Sequence, residues 1–236
     1  MDLSKLMEGL KEFFLEILGF LLPGITLIFL LGFFINPDFS RIFDKAWNAS
    51  HWLLLTFGYI IYGVALLRDN LWRKLLKIVK KKIGVDKIRA GIEKSGEFEI
   101  SKIILKKLLE DDAEAQNKID SLSFHSMRGM AMSYIPEADK KIYTFMFRAE
   151  LCNHLNIVVV SIGMAGLING IIFHLGLKID FFYAHFKFII GYLLLVVTGY
   201  FLNLTRNRFL AIAYKIPFPI FIAKFYRLHK PEKPDA

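Results

Sequence analysis

The chain has 236 residues, of which 55% are hydrophobic, 23 are Phe and 31 are Lys or Arg, for a net charge of +9. Together with a mean hydropathy of +0.42, this is too apolar for an ordinary soluble domain and points to a lipid environment. One cysteine, Cys152, excludes an intramolecular disulfide framework and any CxxC zinc or redox site.

Taken in chain order, residues 1–17 form an amphipathic helix, with Leu3, Leu6, Met7, Leu10, Phe13, Phe14 and Ile17 on one face. Such a helix is expected to lie in the membrane interface. Residues 18–35 follow without a charge and are predicted to be a first span, and Pro23-Gly24 inside it predicts a hinge. The carbonyls a proline frees within a span must be satisfied by neighbouring helices or by local 3₁₀ geometry. Acidic residues before the apolar run, and Asn36-Pro37-Asp38 after it, do not fit a cleavable signal.

Residues 51–67 form a second uncharged run, flanked by Trp47 and Trp52 as interface anchors and closed by Arg68. Residues 68–135 then read as a basic helical insert, so 18–67 is a transmembrane hairpin. The first part of the insert carries Arg73, Lys74, Lys77, Lys80, Lys81 and Lys82 among Leu and Ile, a helix that Gly84 ends. It suits anionic headgroups, with nucleic acid as the less favoured partner. Beyond it, residues 86–135 read as a small helical region in which Ser95 or Gly96 opens one helix and Asp111-Asp112 another. Fifty residues bury little core alone, so this region is expected to pack on the membrane-proximal helices or on another copy, and it is also the expected place for a soluble protein or ligand to engage.

Pro136 to Gly176 is expected to be one long helix that begins in water and ends in lipid as the third span, 157–176. Residues 186–204 form the fourth span, completing the 136–204 segment. Residues 205–236 are expected to be an interfacial tail, because Pro217 and Pro219 interrupt any continuous helix.

The fold class is therefore all-α and polytopic, with four spans and a helical insert between spans 2 and 3. Segments 1–17, 68–150 and 205–236 hold 27 of the 31 Lys and Arg residues. The positive-inside rule accordingly predicts cytoplasmic termini and a cytoplasmic insert, in an inner or plasma membrane.

Two groups of residues on the third helix are candidates for function. Arg148, Glu150 and His154 cluster where that helix enters the membrane, and Glu150 and His154 are i,i+4 neighbours able to form a proton-sensing pair. The R-x5-H spacing of Arg148 and His154 resembles the arginine–histidine signature of HEPN ribonucleases. That resemblance covers seven residues and implies a paired, metal-independent RNA-cleaving site. Ala149 stands where that family places a polar residue. A lipid-modifying enzyme would use the same three residues. Farther along, Gly163, Gly166, Asn169 and Gly170 form a small, polar stripe containing a GxxxG. It fits helix packing, either onto the fourth span with its Gly191 and Gly199 or onto a second copy in a homo-oligomer.

His51, His174, Asp180 and His185 fall on the outer side, but their spacing matches no metal motif, and no cofactor is expected. Walker A, GxSxG, HExxH and GxGxxG are absent from the sequence. The central part of each span is uncharged, which disfavours a monomeric ion-coupled transporter. The expected function is a non-enzymatic, oligomerising membrane module, pore-forming or membrane-perturbing and regulated through its insert. A membrane anchor for a larger complex is the other non-enzymatic reading. The layout resembles small polytopic accessory or effector proteins of prokaryotic defence systems, including those beside CRISPR operons. That resemblance implies spans coupled to a cytoplasmic sensor.

Overall fold

In the computed structural model, residues 3–35, 51–78, 84–108, 119–135, 139–176 and 181–228 are described. The protein is all-α. Its helices are α1 (Leu3–Phe34), α2 (His51–Ile78), α3 (Gly84–Glu93), α4 (Gly96–Leu108), α5 (Phe124–Ser133), α6 (Asp139–His174), α7 (Phe186–Lys215) and α8 (Pro217–Leu228). Three stretches are helical, long and apolar enough to cross a membrane: Ile17–Phe34, Lys140–His174 and Phe186–Arg227. Thr56–Arg68 in α2 is a shorter apolar stretch.

The chain divides into two compact units. Unit 1 comprises Met1–Leu75 and Ala149–Arg206, and unit 2 comprises Leu76–Arg148 and Asn207–Ala236.

Unit 1 is apolar on the outside. On α1, Leu18, Leu22, Ile25, Phe29 and Phe33 are all exposed, at the spacing of a single helical face. On α6, Met164, Ile168 and Ile171 do the same, as does Leu175 just beyond its end, and α7 exposes Phe186, Ile190, Leu193, Leu194, Val197 and Phe201. A water-soluble surface would not carry continuous apolar stripes of this size, whereas lipid solvates them. Inside, Tyr192 is fully buried among Phe34, Phe182, Val158 and Ile162.

The loop before α7 is pinned at one end of this unit. Ile35 and Phe182 form an isolated antiparallel bridge. Tyr183 N donates to the Phe34 carbonyl at 3.1 Å, and the Tyr192 hydroxyl donates to the Tyr183 carbonyl at 2.9 Å. Gly176, at φ +89°, ends α6 in the left-handed conformation favoured by glycine.

Unit 2 has the opposite, conventional distribution. Phe98, Leu105, Phe124, Met127, Ala131, Phe218 and Phe221 are buried together. Phe218 lies edge-on to Phe98 at 5.1 Å and is tilted against Phe124 at 5.9 Å. Each buried Phe contributes about 1.5–3 kcal/mol, which makes α8 a principal part of this core.

Several boundaries differ from the sequence reading. Within 205–228, the described part of the expected interfacial tail, α7 runs on to Lys215 and α8 packs into the core of unit 2. Pro217 and Pro219 occupy the first turn of α8, where the missing N–H groups have no helical acceptor to satisfy, so they break the chain at Ile216 and start a new helix. Residues 3–17 are not a separate element, because α1 continues from Leu3 into the first apolar run. Likewise α2 passes through Arg68 to Ile78, and Gly84 opens α3 instead of closing a basic helix. The helix expected to open at Asp111-Asp112 and to include Phe124 is interrupted before that residue: Ile119 is helical, Asp120 and Ser121 form a turn, and residues 111–118 lie outside the described residues. Ser123 caps α5 there, its hydroxyl accepting from Ser126 N at 3.2 Å. The start of the long helix at Pro136 lies outside the described residues.

Candidate functional site

The polar residues that sequence places at the start of the third span are split between the two units. Arg148 belongs to unit 2, is exposed, and sets its guanidinium over the rings of Phe145 and Phe209 at 5.7 and 5.9 Å. Six residues along a helix amount to a rotation of about 240°, so Arg148 and His154 do not share a face.

Glu150 and His154 instead join a polar brace inside unit 1 whose cation is Arg68. Arg68 ends the apolar stretch of α2, and its fork donates to Asn156 Oδ1 at 3.1 Å and to Asn153 Oδ1. Each amide passes the interaction on. Asn153 Nδ2 donates to Glu150 Oε2 at 3.3 Å, and Asn156 Nδ2 donates to the Gly199 carbonyl on α7. This ladder joins α2, α6 and α7, with a cation and a carboxylate linked through neutral amides. An Arg fork suits two adjacent acceptors in a way that a lysine ammonium does not.

His154 adds α1 to the brace. Its buried ring stands edge-on to Tyr62 at 5.5 Å and lies near the backbone of Gly19. Gly19 is four residues before Pro23, so its carbonyl is the one that the proline leaves without an N–H. The histidine thus stands near the acceptor that the proline frees. His154 Nε2 is buried without a hydrogen-bond partner. Glu150, Arg68 and Arg206 are the charges that act on this imidazole.

The small-residue stripe of α6 faces α7 of the same chain. A Cβ on Gly166 would collide with the Tyr192 ring, and one on Gly163 would lie 2.9 Å from the Tyr192 carbonyl oxygen. Asn169 Nδ2 donates to the Phe182 carbonyl at 2.8 Å. Gly170 is less constrained, since a Cβ there would stand 3.6 and 3.7 Å from side-chain atoms of Ile189. From α7, Gly199 makes the reciprocal approach, its Cβ position overlapping Val160.

Sequence reasoning missed three of these participants: Arg68, Tyr62 and Gly58. A Cβ on Gly58 would strike the backbone of Phe20, so α1 and α2 cross there at close range. The available signal for Gly58 was a lone glycine in an apolar run. Of the basic residues assigned to an anionic surface, Arg73, Lys74 and Lys77 lie on α2 and Lys74 is exposed, while Lys80, Lys81 and Lys82 lie outside the described residues. Asp180 also lies outside them. Among the described residues, no group of three or more His, Cys, Asp or Glu side chains is placed to hold a metal. In comparisons with protein families, curated proteins and solved structures, the chain matches none.

Proposed function

We propose that the protein is a non-enzymatic, multi-pass membrane module. In this reading, unit 1 crosses the bilayer with four helices, the fourth being α2 over residues 51–67. Both termini and unit 2 lie in the cytoplasm. The inverted surface of unit 1 carries the reading: apolar stripes outside and the Arg68 brace inside. The bias of Lys and Arg toward 68–150 and the two ends supports the orientation.

The use of Arg68, Asn153, Asn156 and His154 as helix-to-helix links favours a scaffold role over catalysis. Because the glycine stripe packs within the chain, self-association would use the outward stripe of Met164, Ile168 and Ile171 against a second copy. Such an oligomer, with unit 2 as its regulatory part, would permeabilise or deform the membrane.

The test is the pure protein in liposomes, with dye leakage, conductance and oligomer size measured in parallel. Leakage from a defined oligomer supports the reading. A monomer in a tight membrane overturns its pore form, and extraction by alkaline carbonate overturns membrane insertion itself. Sidedness is read from single cysteines placed at Lys107 and Tyr183 in a Cys152→Ala background. An impermeant maleimide is expected to reach only position 107 from the cytoplasmic side.

A further inference from the structure

His154 is 5% exposed, a titratable ring enclosed where four helices of unit 1 meet. On its own helix, α6, Glu150 stands one turn earlier. Arg68 acts on the ring from α2, which also supplies the Tyr62 ring, and Arg206 acts on it from α7. From α1 the backbone of Gly19 lies near it. Residues 17–34 of α1 carry no ionisable side chain. Glu16, the nearest such residue of α1 in the sequence, has its side chain outside the described residues.

Glu150 is placed between two donors on the same helix. In the brace its Oε2 accepts from Asn153 Nδ2 at 3.3 Å, at the long end for a hydrogen bond. His154 lies at i,i+4, and an acid N-terminal to a base at that spacing is the more favourable order for a pair on one helix. An imidazolium would add Coulomb attraction that the Asn153 amide lacks, and the attraction is stronger away from water. His154 Nε2, which has no hydrogen-bond partner among the described residues, is open to such a bond. A new positive charge beside Arg68 and Arg206 would at the same time repel the guanidinium that holds α2 to α6.

From the position of Glu150 between Asn153 and His154, we propose that the Arg68 brace is a proton-operated latch. A proton taken up from solution by His154 draws Glu150 off Asn153 and onto the imidazolium. Asn153 then loses its acceptor, and the rung that links Arg68 to a carboxylate opens. The ring, turned towards Glu150, leaves its place against Tyr62 and Gly19. Both changes loosen α1 and α2 from α6, next to the backbone that Pro23 already interrupts. Acid is the signal, and the responding element is the junction of the apolar helices. The latch acts within unit 1 and stands whether or not the protein forms a pore.

The experiment uses the full-length protein in detergent micelles, labelled with carbon-13 at histidine Cε1. One resonance, absent from His154→Gln, is expected to titrate between about pH 5 and 8. Backbone amide exchange is then followed by mass spectrometry at about pH 7.5 and about pH 5.5, with the intrinsic pH dependence of exchange divided out. Peptides around Gly19 on α1 and around Arg68 on α2 are expected to lose protection about threefold to tenfold at the lower pH, the worth of one net hydrogen bond. Glu150→Gln keeps an acceptor for Asn153 but offers an imidazolium no charge, so it should stay protected at both pH values. His154→Gln should do the same, and Glu16→Gln should respond as the parent does. A His154 resonance that does not titrate in this range overturns the proposal, as does equal protection of the parent at the two pH values. A loss of protection that persists in Glu150→Gln, or that Glu16→Gln abolishes, overturns it too, because the proton then acts through another group.

Discussion

Replacing Gly166 by alanine tests the packing of unit 1 at its tightest point. A Cβ at 166 would lie inside van der Waals distance of three ring atoms of Tyr192, with Cγ at 2.6 Å. Restoring ordinary contact requires the ring to move by about 1 Å, in a core close-packed enough to resist it. Tyr192 has little freedom to do so: it is fully buried, faces Phe34 at 4.9 Å, and donates its hydroxyl to Tyr183. Overpacking of this kind costs about 1–3 kcal/mol, and loss of the hydroxyl bond about 1 more. Alanine returns up to about 1 kcal/mol through its better helix propensity. The expected net effect is therefore a destabilisation of about 1–3 kcal/mol. Gly170→Ala supplies the contrast, since its methyl would make only ordinary contacts with Ile189 and should be neutral or slightly stabilising. Unfolding in mixed SDS micelles, followed by far-UV circular dichroism, measures both. Tyr192→Leu should abolish the Gly166→Ala penalty in a double-mutant cycle. Equal stability of Gly166→Ala and Gly170→Ala would refute the reasoning. A Gly166→Ala variant that changed oligomer size alone would move the stripe to an intermolecular interface.

Other expectations follow from the same contacts. Asn156→Leu strips an acceptor from Arg68 and a donor from the Gly199 carbonyl and is expected to cost about 1–3 kcal/mol in the same assay. Arg68→Lys should not restore the parent's stability, because an ammonium cannot serve both asparagines as the fork does. Phe218→Ala, in the aromatic centre of unit 2, is expected to cost about 3–5 kcal/mol and to open α8 to limited proteolysis while leaving the peptides of unit 1 protected. Acidification has a defined sign at two positions in unit 2. His125 titrates lower in the fold than its usual 6.5, so the unfolded chain takes up the proton first, and stability falls as pH drops below about 6.5 until the folded value is passed. The hydrogen bond from Lys215 lowers the Glu97 carboxyl, whose contribution is present above about 4.5 and lost as pH falls through the lowered folded value. A thermal-melt series across this range checks both, and Lys215→Met should remove the lower step.

Composition and periodicity determined a good deal of this protein. An excess of Phe and Leu, with long uncharged runs, is sufficient for an all-α chain with helices able to cross a membrane, because lipid accepts only backbone that is hydrogen-bonded to itself. The long α6, a helix opening at Ser95 or Gly96 and the break near Pro217 were likewise legible, since each rests on local stereochemistry or on a spacing along one helix. The destination of those local features was decided by tertiary structure. Nothing about Arg68 in the sequence indicates that it will reach Asn153 and Asn156, more than eighty residues away. The approach of His154 to the backbone of Gly19 and to the ring of Tyr62 brings together helices that lie far apart in the sequence. Residues 217–228 carry the same aromatics as an interfacial tail would. They became core because α4 and α5 offered Phe98 and Phe124 as a surface on which burial outweighs contact with lipid headgroups. Side chains recognise partners through space, and the order of the chain records only which residues are neighbours on the same helix.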